Sequence, residues 1–454
     1  MRFAIISMFC WMMWSCTKNE PQPIPIQKKD STSTILTSKE YEDDNTWIYQ
    51  QMKINYRWED KMPEESKTNK LLPPAEYFKT LVYKEKDWFS YFHHDRNEVL
   101  NFWNGTPVAF GFRYREVLKD EFEKKEQLVI SLVDKNSPAE KSGLKRGDII
   151  TKINGLPLSI KTNIIEILAQ NSIKLEGTHT DNQPFTISIS KNKYQVDPIL
   201  DYRIINENGR KIGYFAFGQF LSFIDDDLLS VFKYFKENQI DDLIVDLRFN
   251  PGGFTPNSEV VASFIVQNLN PSETMFGAIT NSNQTEQYFK RFGTKEALRG
   301  WVPETYNLGY LPRVFMITSR SSSSSSELII SALKAKMNVI TVGNNTFGKS
   351  VISTIITDET DKFPYVIMPA FSSYYNAKGQ TENARPDGFI PDYKTDDNIL
   401  PFIPIGNTNE TLLRKTLDII SGTIEENQLS SGYHKVHFKD ELHHYDNHNP
   451  FLTK

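Results

Sequence analysis

The stretch RVFMITSRSSSSSSELIISALKAK, residues 313–336, decides how the chain is read. Arg313 to Thr318 has the pattern of a hydrophobic strand, and Ser326 to Lys336 has the apolar spacing of a helix. Between them lie six consecutive serines, Ser321 to Ser326. A serine run is ordinarily a flexible linker. Here it sits between a strand and a strongly apolar helix, and Ser326 followed by Glu327 to Leu333 has the form of a helix start. A hydroxyl in such a place gains from nearby N–H groups and from the helix dipole, so the run reads as a candidate nucleophile turn.

The same alternation extends outward from there. Lys211 to Phe217, Asp242 to Leu247 and Val339 to Val342 read as strands. Asp225 to Glu237, Ser258 to Gln267 and Leu412 to Ile420 read as helices. From about Tyr202 onward this predicts an α/β domain with a helix-covered sheet and parallel strand pairs. The buried strand Asp242 to Leu247 runs into Arg248-Phe249-Asn250-Pro251-Gly252-Gly253. Ligands bind at such C-terminal strand ends in open α/β sheets, and the N–H groups of a sharp turn there can stabilise an oxyanion. Thr346-Phe347-Gly348-Lys349 follows the strand Val339 to Val342. A free lysine, with a pKa of about 10.4, is a poor base near neutrality. Burial lowers that value and lets a neutral amine take a serine's proton.

Upstream the pattern differs. About Gly105 to Lys191 reads as short strands, including Val108 to Tyr114 and Gln127 to Val133. A short helix starts near Pro138 and stops at Gly143; Gly147-Asp148 leads into the strand Ile149 to Ile153, and Asn154-Gly155 forms a turn. This segment resembles a PDZ domain, which implies capture of an extended peptide, often a C-terminus, at a sheet edge. Lys39 to about Asn104 has helical spacing at Trp47, Ile48, Met52, Tyr56 and Trp58, at Tyr77, Phe78, Leu81 and Val82, and again at Trp88, Phe89 and Phe92. These aromatic residues are expected in a core.

Arg2 precedes the apolar run Phe3 to Trp14, which is too short to span a bilayer, and Ser15 precedes Cys16. Cys10 and Cys16 are the only cysteines of the chain. A lipoprotein signal cleaved before Cys16 and lipidated there accounts for that usage. The net charge of −5 over 454 residues leaves no basic field for nucleic acid.

Taken in order, the helical segment, the PDZ-like segment, the Asp246 to Gly253 turn, the serine run before Glu327 and Thr346 to Lys349 resemble the C-terminal processing (tail-specific) serine peptidases, in a lipid-anchored branch. The resemblance covers about residues 40 to 425. It implies Ser324 as nucleophile, three residues before Glu327, with Lys349 as general base 25 residues on (349 − 324). Gly252, Gly253 and Ser325 would form the oxyanion site. Ser323 and Ser325 remain alternatives within the run. Members often carry glutamine four residues after the lysine; Ser353 stands there and would either orient Lys349 or leave the site without a third member. Ser350 replaces a common glycine.

The expected organisation is a signal peptide (1–15), a tether (16–38), a helical region (39–104), a PDZ-like domain (105–195), a catalytic domain (196–425) and a polar tail (426–454). The expected partners are polypeptide tails and, through the lipid anchor, a membrane of the bacterial cell envelope, without nucleic acid. No cofactor or metal is expected, since the tail histidines His434, His437, His443, His444 and His448 fit no strong zinc spacing. A Ser-His-Asp hydrolase lacks a core histidine to carry it. An inactive peptide-binding lipoprotein of the same fold stays open.

Overall fold

In the computed structural model, which describes residues 37–120, 126–159, 162–281, 287–292, 306–381, 387–423, 433–438 and 445–446, the amino-terminal part forms α1 (Glu42–Asn55), α2 (Pro74–Leu81) and α3 (Arg96–Trp103). The segments expected as leader and tether up to residue 36, with Cys16, and His443, His444 and His448 lie outside the described residues. Ile48 and Met52 of α1 and Tyr77, Phe78 and Leu81 of α2 share a buried cluster with Val351, Phe363, Tyr365 and Ile367, so this segment is held against a distant part of the chain. The helical reading fails at Trp88 to Phe92. Asp87 accepts hydrogen bonds from the N–H groups of Phe89 (2.9 Å) and Ser90 (2.8 Å), a side-chain turn that competes with helix. Tyr91–His93 then forms a strand antiparallel to Val366–Met368.

The PDZ-like module contains β1 (Phe112–Asp120), β2 (Gln127–Val133), α4 (Pro138–Lys141), β3 (Ile149–Ile153), α5 (Ile164–Ala169), β4 (Ser172–Thr178) and β5 (Pro184–Ser190). Its strands pair antiparallel in the order β1-β2-β3-β4-β5. Phe110, Phe112, Leu128, Ile130, Ile150 and Leu175 form its own core under Ile164 and Leu168 of α5. The strand expected over Val108 to Tyr114 is broken at Gly111. That residue has φ +84°, and a Cβ on it would lie 2.1 Å from the Ser137 Cβ, so the chain turns where only glycine fits.

The α/β part contains β6 (Ile199–Glu207), β7 (Arg210–Phe217), α6 (Asp225–Glu237), β8 (Asp242–Asp246), α7 (Thr255–Ile265), β9 (Arg313–Thr318), α8 (Ser325–Lys334), β10 (Asn338–Gly343), β11 (Tyr393–Lys394) and α9 (Thr411–Ser421). The sheet order is β6-β7-β8-β9-β10-β11; β6 and β7 pair antiparallel and the others parallel. Leu412, Leu413 and Leu417 of α9 pack with Tyr214, Ile244 and Phe315. Phe232 of α6, Val260 of α7 and Leu328 and Ile329 of α8 pack with Phe215, Val245 and Met316. The alternation of inward residues along each strand thus gives helices on both faces, as expected.

Two features were not anticipated. Thr274–Ile279, Gln287–Arg291, Val351–Ser353 and Ala370–Asn376 form a second, antiparallel sheet. The polar tail also contributes strands: β13 (His434–Phe438) pairs with β1 on one side and with β12 (Ile399–Leu400) of the α/β part on the other, and β14 (Tyr445–Asp446) pairs with β1 further along.

A buried ionic network joins the modules. Arg248 is fully buried and reaches Asp246 (2.8 Å), both oxygens of Glu410 (2.5 and 2.7 Å) and Asp397 (3.4 Å). Arg146, from the PDZ-like module, donates to the same Asp397 (3.2 Å) and to Glu410 (3.4 Å). Glu410 also caps α9 through the Leu413 N–H. The carboxylates surrounding Arg248 hold its pKa well above the ordinary arginine value despite burial.

Candidate active site

Three neighbouring parallel strands, β8, β9 and β10, end at the same edge of the sheet, and each feeds one of the three motifs. The serine run lies along the 247–253 turn, and its hydroxyls have separate partners. Ser322 donates to the Leu247 carbonyl (2.8 Å), Ser323 to Pro251 (2.8 Å), Ser325 to Gly253 (2.9 Å) and Ser326 to Asn250 (3.0 Å). The Ser321 hydroxyl is buried without a hydrogen-bond partner among the described residues. Ser324 differs from the four donors, and from Ser321 in its place at the helix start and its backbone. It stands at the N-cap of α8 with φ +55°, and among the described residues its hydroxyl donates to no atom. A non-glycine residue in that region is strained, and such strain gathers at functional turns.

Glu327, one turn into α8, is fully buried and organises the site. Its carboxylate accepts from the Thr346 hydroxyl (2.6 Å) and from the N–H groups of Gly348 (2.6 Å), Lys349 (2.8 Å) and Ser324 (3.1 Å). One oxygen takes both the Ser324 and the Lys349 amide, so a single atom fixes the backbone at both residues. Burial pushes the Glu327 carboxyl up to about 7, against those four hydrogen bonds, which pull it down.

Lys349 is brought down to about 8 by burial, against the charges of Glu327 and Asp87, which raise it. Part of the residue's surface stays exposed, yet the packing around its amine is dense enough for desolvation to dominate. Its carbonyl accepts from the Tyr374 hydroxyl at 3.2 Å. Asp87 comes from the amino-terminal segment, whose Phe89 ring lies 6.4 Å from that of Phe347. The Asp87 Oδ2 is buried with no hydrogen-bond partner among the described residues.

Gly252 and Gly253 have φ +95° and +139°, and a Cβ on Gly252 would lie 2.7 Å from the Ser324 Cβ. The turn can therefore approach the serine only with glycine there. The Gly252 N–H, however, donates to the Asn250 side chain at 2.9 Å. The N–H groups of Gly253 and Ser325 donate to no acceptor among the described residues, which leaves those two for an incoming oxygen. Ser353 ends the strand Val351–Ser353, and its hydroxyl is buried without a hydrogen-bond partner among the described residues, so no bond from it orients Lys349.

Asp87 and Asn250 escaped sequence reasoning. Asn250 is legible only as part of the turn, and Asp87 only through the tertiary packing that brings it to the lysine. Glu327 gives a stronger signal, since serine followed three residues later by glutamate is a helix-start pattern. No cluster able to hold a metal ion occurs among the described residues.

Residues 211–395 match peptidase family S41, residues 129–174 a PDZ domain, and residues 43–91 the S41 N-terminal domain. The chain is 24% identical over 237 residues to the carboxy-terminal processing protease CtpB of Bacillus subtilis, covering 51% of this chain and 45% of that protein. It is 24% identical over 298 residues to a Staphylococcus saprophyticus protein described as a CtpA-like serine protease, covering 64% and 55%. The chain thus spans about half the length of these curated relatives. A crystal structure from Bacteroides fragilis, assigned to the S41 proteases, superposes with TM-score 0.69 at 23% identity, covering 84% of this chain and 98% of that one. That likeness concerns the fold.

Proposed function

We propose that this chain, which belongs to peptidase family S41, is a serine endopeptidase using Ser324 and Lys349 on polypeptide tails bound by its PDZ domain. The observation that carries the reading is the difference between Ser324 and its neighbours. Four serines of the run donate their hydroxyl protons to carbonyls of the 247–253 turn, whereas Ser324 keeps its own, and its backbone N–H shares one Glu327 oxygen with that of a desolvated lysine.

The Ser324 Oγ attacks the scissile carbonyl carbon while neutral Lys349 takes its proton. The Gly253 and Ser325 N–H groups, with α8 behind them, meet the developing oxyanion. Lys349 returns the proton to the leaving amine, and water then cleaves the acyl-enzyme. Glu327 acts through the backbone by holding both reactive residues in register. In the same reading Cys16 is lipidated and tethers the protein to a bacterial envelope membrane.

Turnover of an unstructured protein by purified variants tests the assignment. Ser324→Ala and Lys349→Ala should each remove nearly all activity without unfolding the protein, because members of one catalytic unit are not additive. Full activity in Lys349→Ala would exclude the pair. Loss in Ser323→Ala or Ser325→Ala together with activity in Ser324→Ala would move the nucleophile along the run.

A further inference from the structure

A PDZ domain takes a peptide by adding it as a strand to a sheet edge. In the five-stranded core of this module, β2 covers one side of β1. The other side of β1 is an edge that the chain fills with its own tail. Val436, His437 and Phe438 of β13 pair antiparallel with Asp120, Lys119 and Val117. Further on, the backbone of Tyr445 and Asp446 pairs with Tyr114 and Arg113. The two paired stretches thus follow one another toward the start of β1 at Phe112, where Phe112 and Tyr114 share the core with Ile164 and Leu168 of α5.

The seat is apolar as well as hydrogen-bonded. Val436 and Phe438 are buried with Val117, Val129, Leu400 and Phe402. The Phe438 ring stacks on Phe402 at 6.0 Å, and the Arg115 guanidinium lies 3.5 Å over its face. On its far side β13 pairs with β12, so the tail strand is inserted between the PDZ sheet and a segment of the α/β part.

We propose that residues 434–438 and 445–446 are a resident occupant of the β1 edge, and that a polypeptide tail gains this edge by displacing them. This rests on the peptide-binding reading above and adds an intramolecular competitor to it. Only 12 residues separate Ser421, the end of α9, from His434. A tether this short keeps the tail at an effective concentration of about millimolar near its seat. A weak substrate tail would then stay unbound, and only one that outcompetes the resident would enter. The affinity seen from outside is the intrinsic affinity reduced by the fraction of molecules with an open edge.

The full chain carrying Lys119→Cys and His437→Cys, which face each other in the register, tests this. The probe is a fluorescein-labelled synthetic peptide with the sequence of residues 430–446, followed by anisotropy in a Ser324→Ala background. Oxidation should abolish probe binding, and a reductant should restore it. Phe438→Asp, which loosens the resident without a cross-link, should bind the probe at least about tenfold more tightly than the unmodified tail. Equal binding in the oxidised and reduced forms, or no gain in Phe438→Asp with an intact thermal transition, overturns the proposal. So does the absence of probe binding in every form. Phosphonylation of Ser324 in the unmodified protein reports the chemistry separately, so a failed competitor and a failed peptidase assignment can be told apart.

Discussion

Labelling of Ser324 by a phosphonylating probe should accelerate as the pH is raised from 6 to 9. In the proposed mechanism the serine reacts only with neutral Lys349 as base, and burial has brought the pKa of that lysine down to about 8. The neutral fraction is then about 1% at pH 6, about 9% at pH 7, about 50% at pH 8 and about 90% at pH 9. An ordinary lysine would be about 0.04% neutral at pH 7, so burial alone supplies about two orders of magnitude in active base. Asp87 is the control, since its charge raises the lysine pKa. Asp87→Asn should move the midpoint of the labelling rate to lower pH, whereas a purely structural loss would lower the rate and leave the midpoint in place. Stopped-flow or gel-based labelling across the pH range reads both. A rate that is flat between pH 6 and 9, or a limb centred above about 10, would refute the desolvated-lysine argument. Stability depends on the same two groups with opposite signs. Glu327, raised from 4.5 to about 7, binds its proton more tightly when folded, so its contribution is lost as pH rises through about 7. Lys349, lowered from 10.5 to about 8, binds its proton less tightly when folded, so its contribution is present above the unfolded value and lost as pH falls through about 8. The two together disfavour the fold most between about pH 7 and 8, the range in which the site begins to work.

Gly252→Ala should cost about 1–3 kcal/mol from its positive φ and suppress labelling further by pushing on Ser324, whereas Gly155→Ala, also at positive φ but with open space around it, should show only the backbone cost; equal labelling in the two variants would sink the close-approach argument. Arg248→Ala should lower stability to chemical denaturation by about 3–5 kcal/mol, because it leaves Asp246 with only the Tyr214 hydroxyl and Glu410 with only the longer contact to Arg146 (3.4 Å) among their side-chain partners; a loss below about 1 kcal/mol would mean the network is solvated. Changing Cys16 to alanine should abolish incorporation of labelled lipid and release the protein from membranes, and unchanged partitioning would count against the anchor.

Much of the α/β part was legible because its strands are buried on both faces and its helices are long. Asp242 to Leu247, Arg313 to Thr318 and Leu412 to Ile420 could be placed almost to the residue for that reason. The sheet containing Ala370–Asn376 was missed although its burial alternates along the strand, since a single short alternating run carries little information without its partners. Val436 and Phe438 have the same spacing in a segment whose composition is otherwise polar. Within the site, the order and spacing of the motifs were readable, but the choice among the serines was not. It depends on which carbonyl each hydroxyl meets across the 247–253 turn, and that is a property of tertiary register.

A homopolymer is the kind of sequence in which copying errors add or remove a unit, and composition hardly records the change. Here such a slip would be severe. Each serine from Ser322 to Ser326 except Ser324 is keyed to its own carbonyl, and Glu327 is keyed to two amides of the Thr346 to Lys349 loop. One serine more or fewer would put the whole run out of phase with the turn on one side or with α8 on the other. Six identical letters thus tolerate many single replacements better than a change in their number, and the length of the run, rather than its content, is what inheritance must preserve.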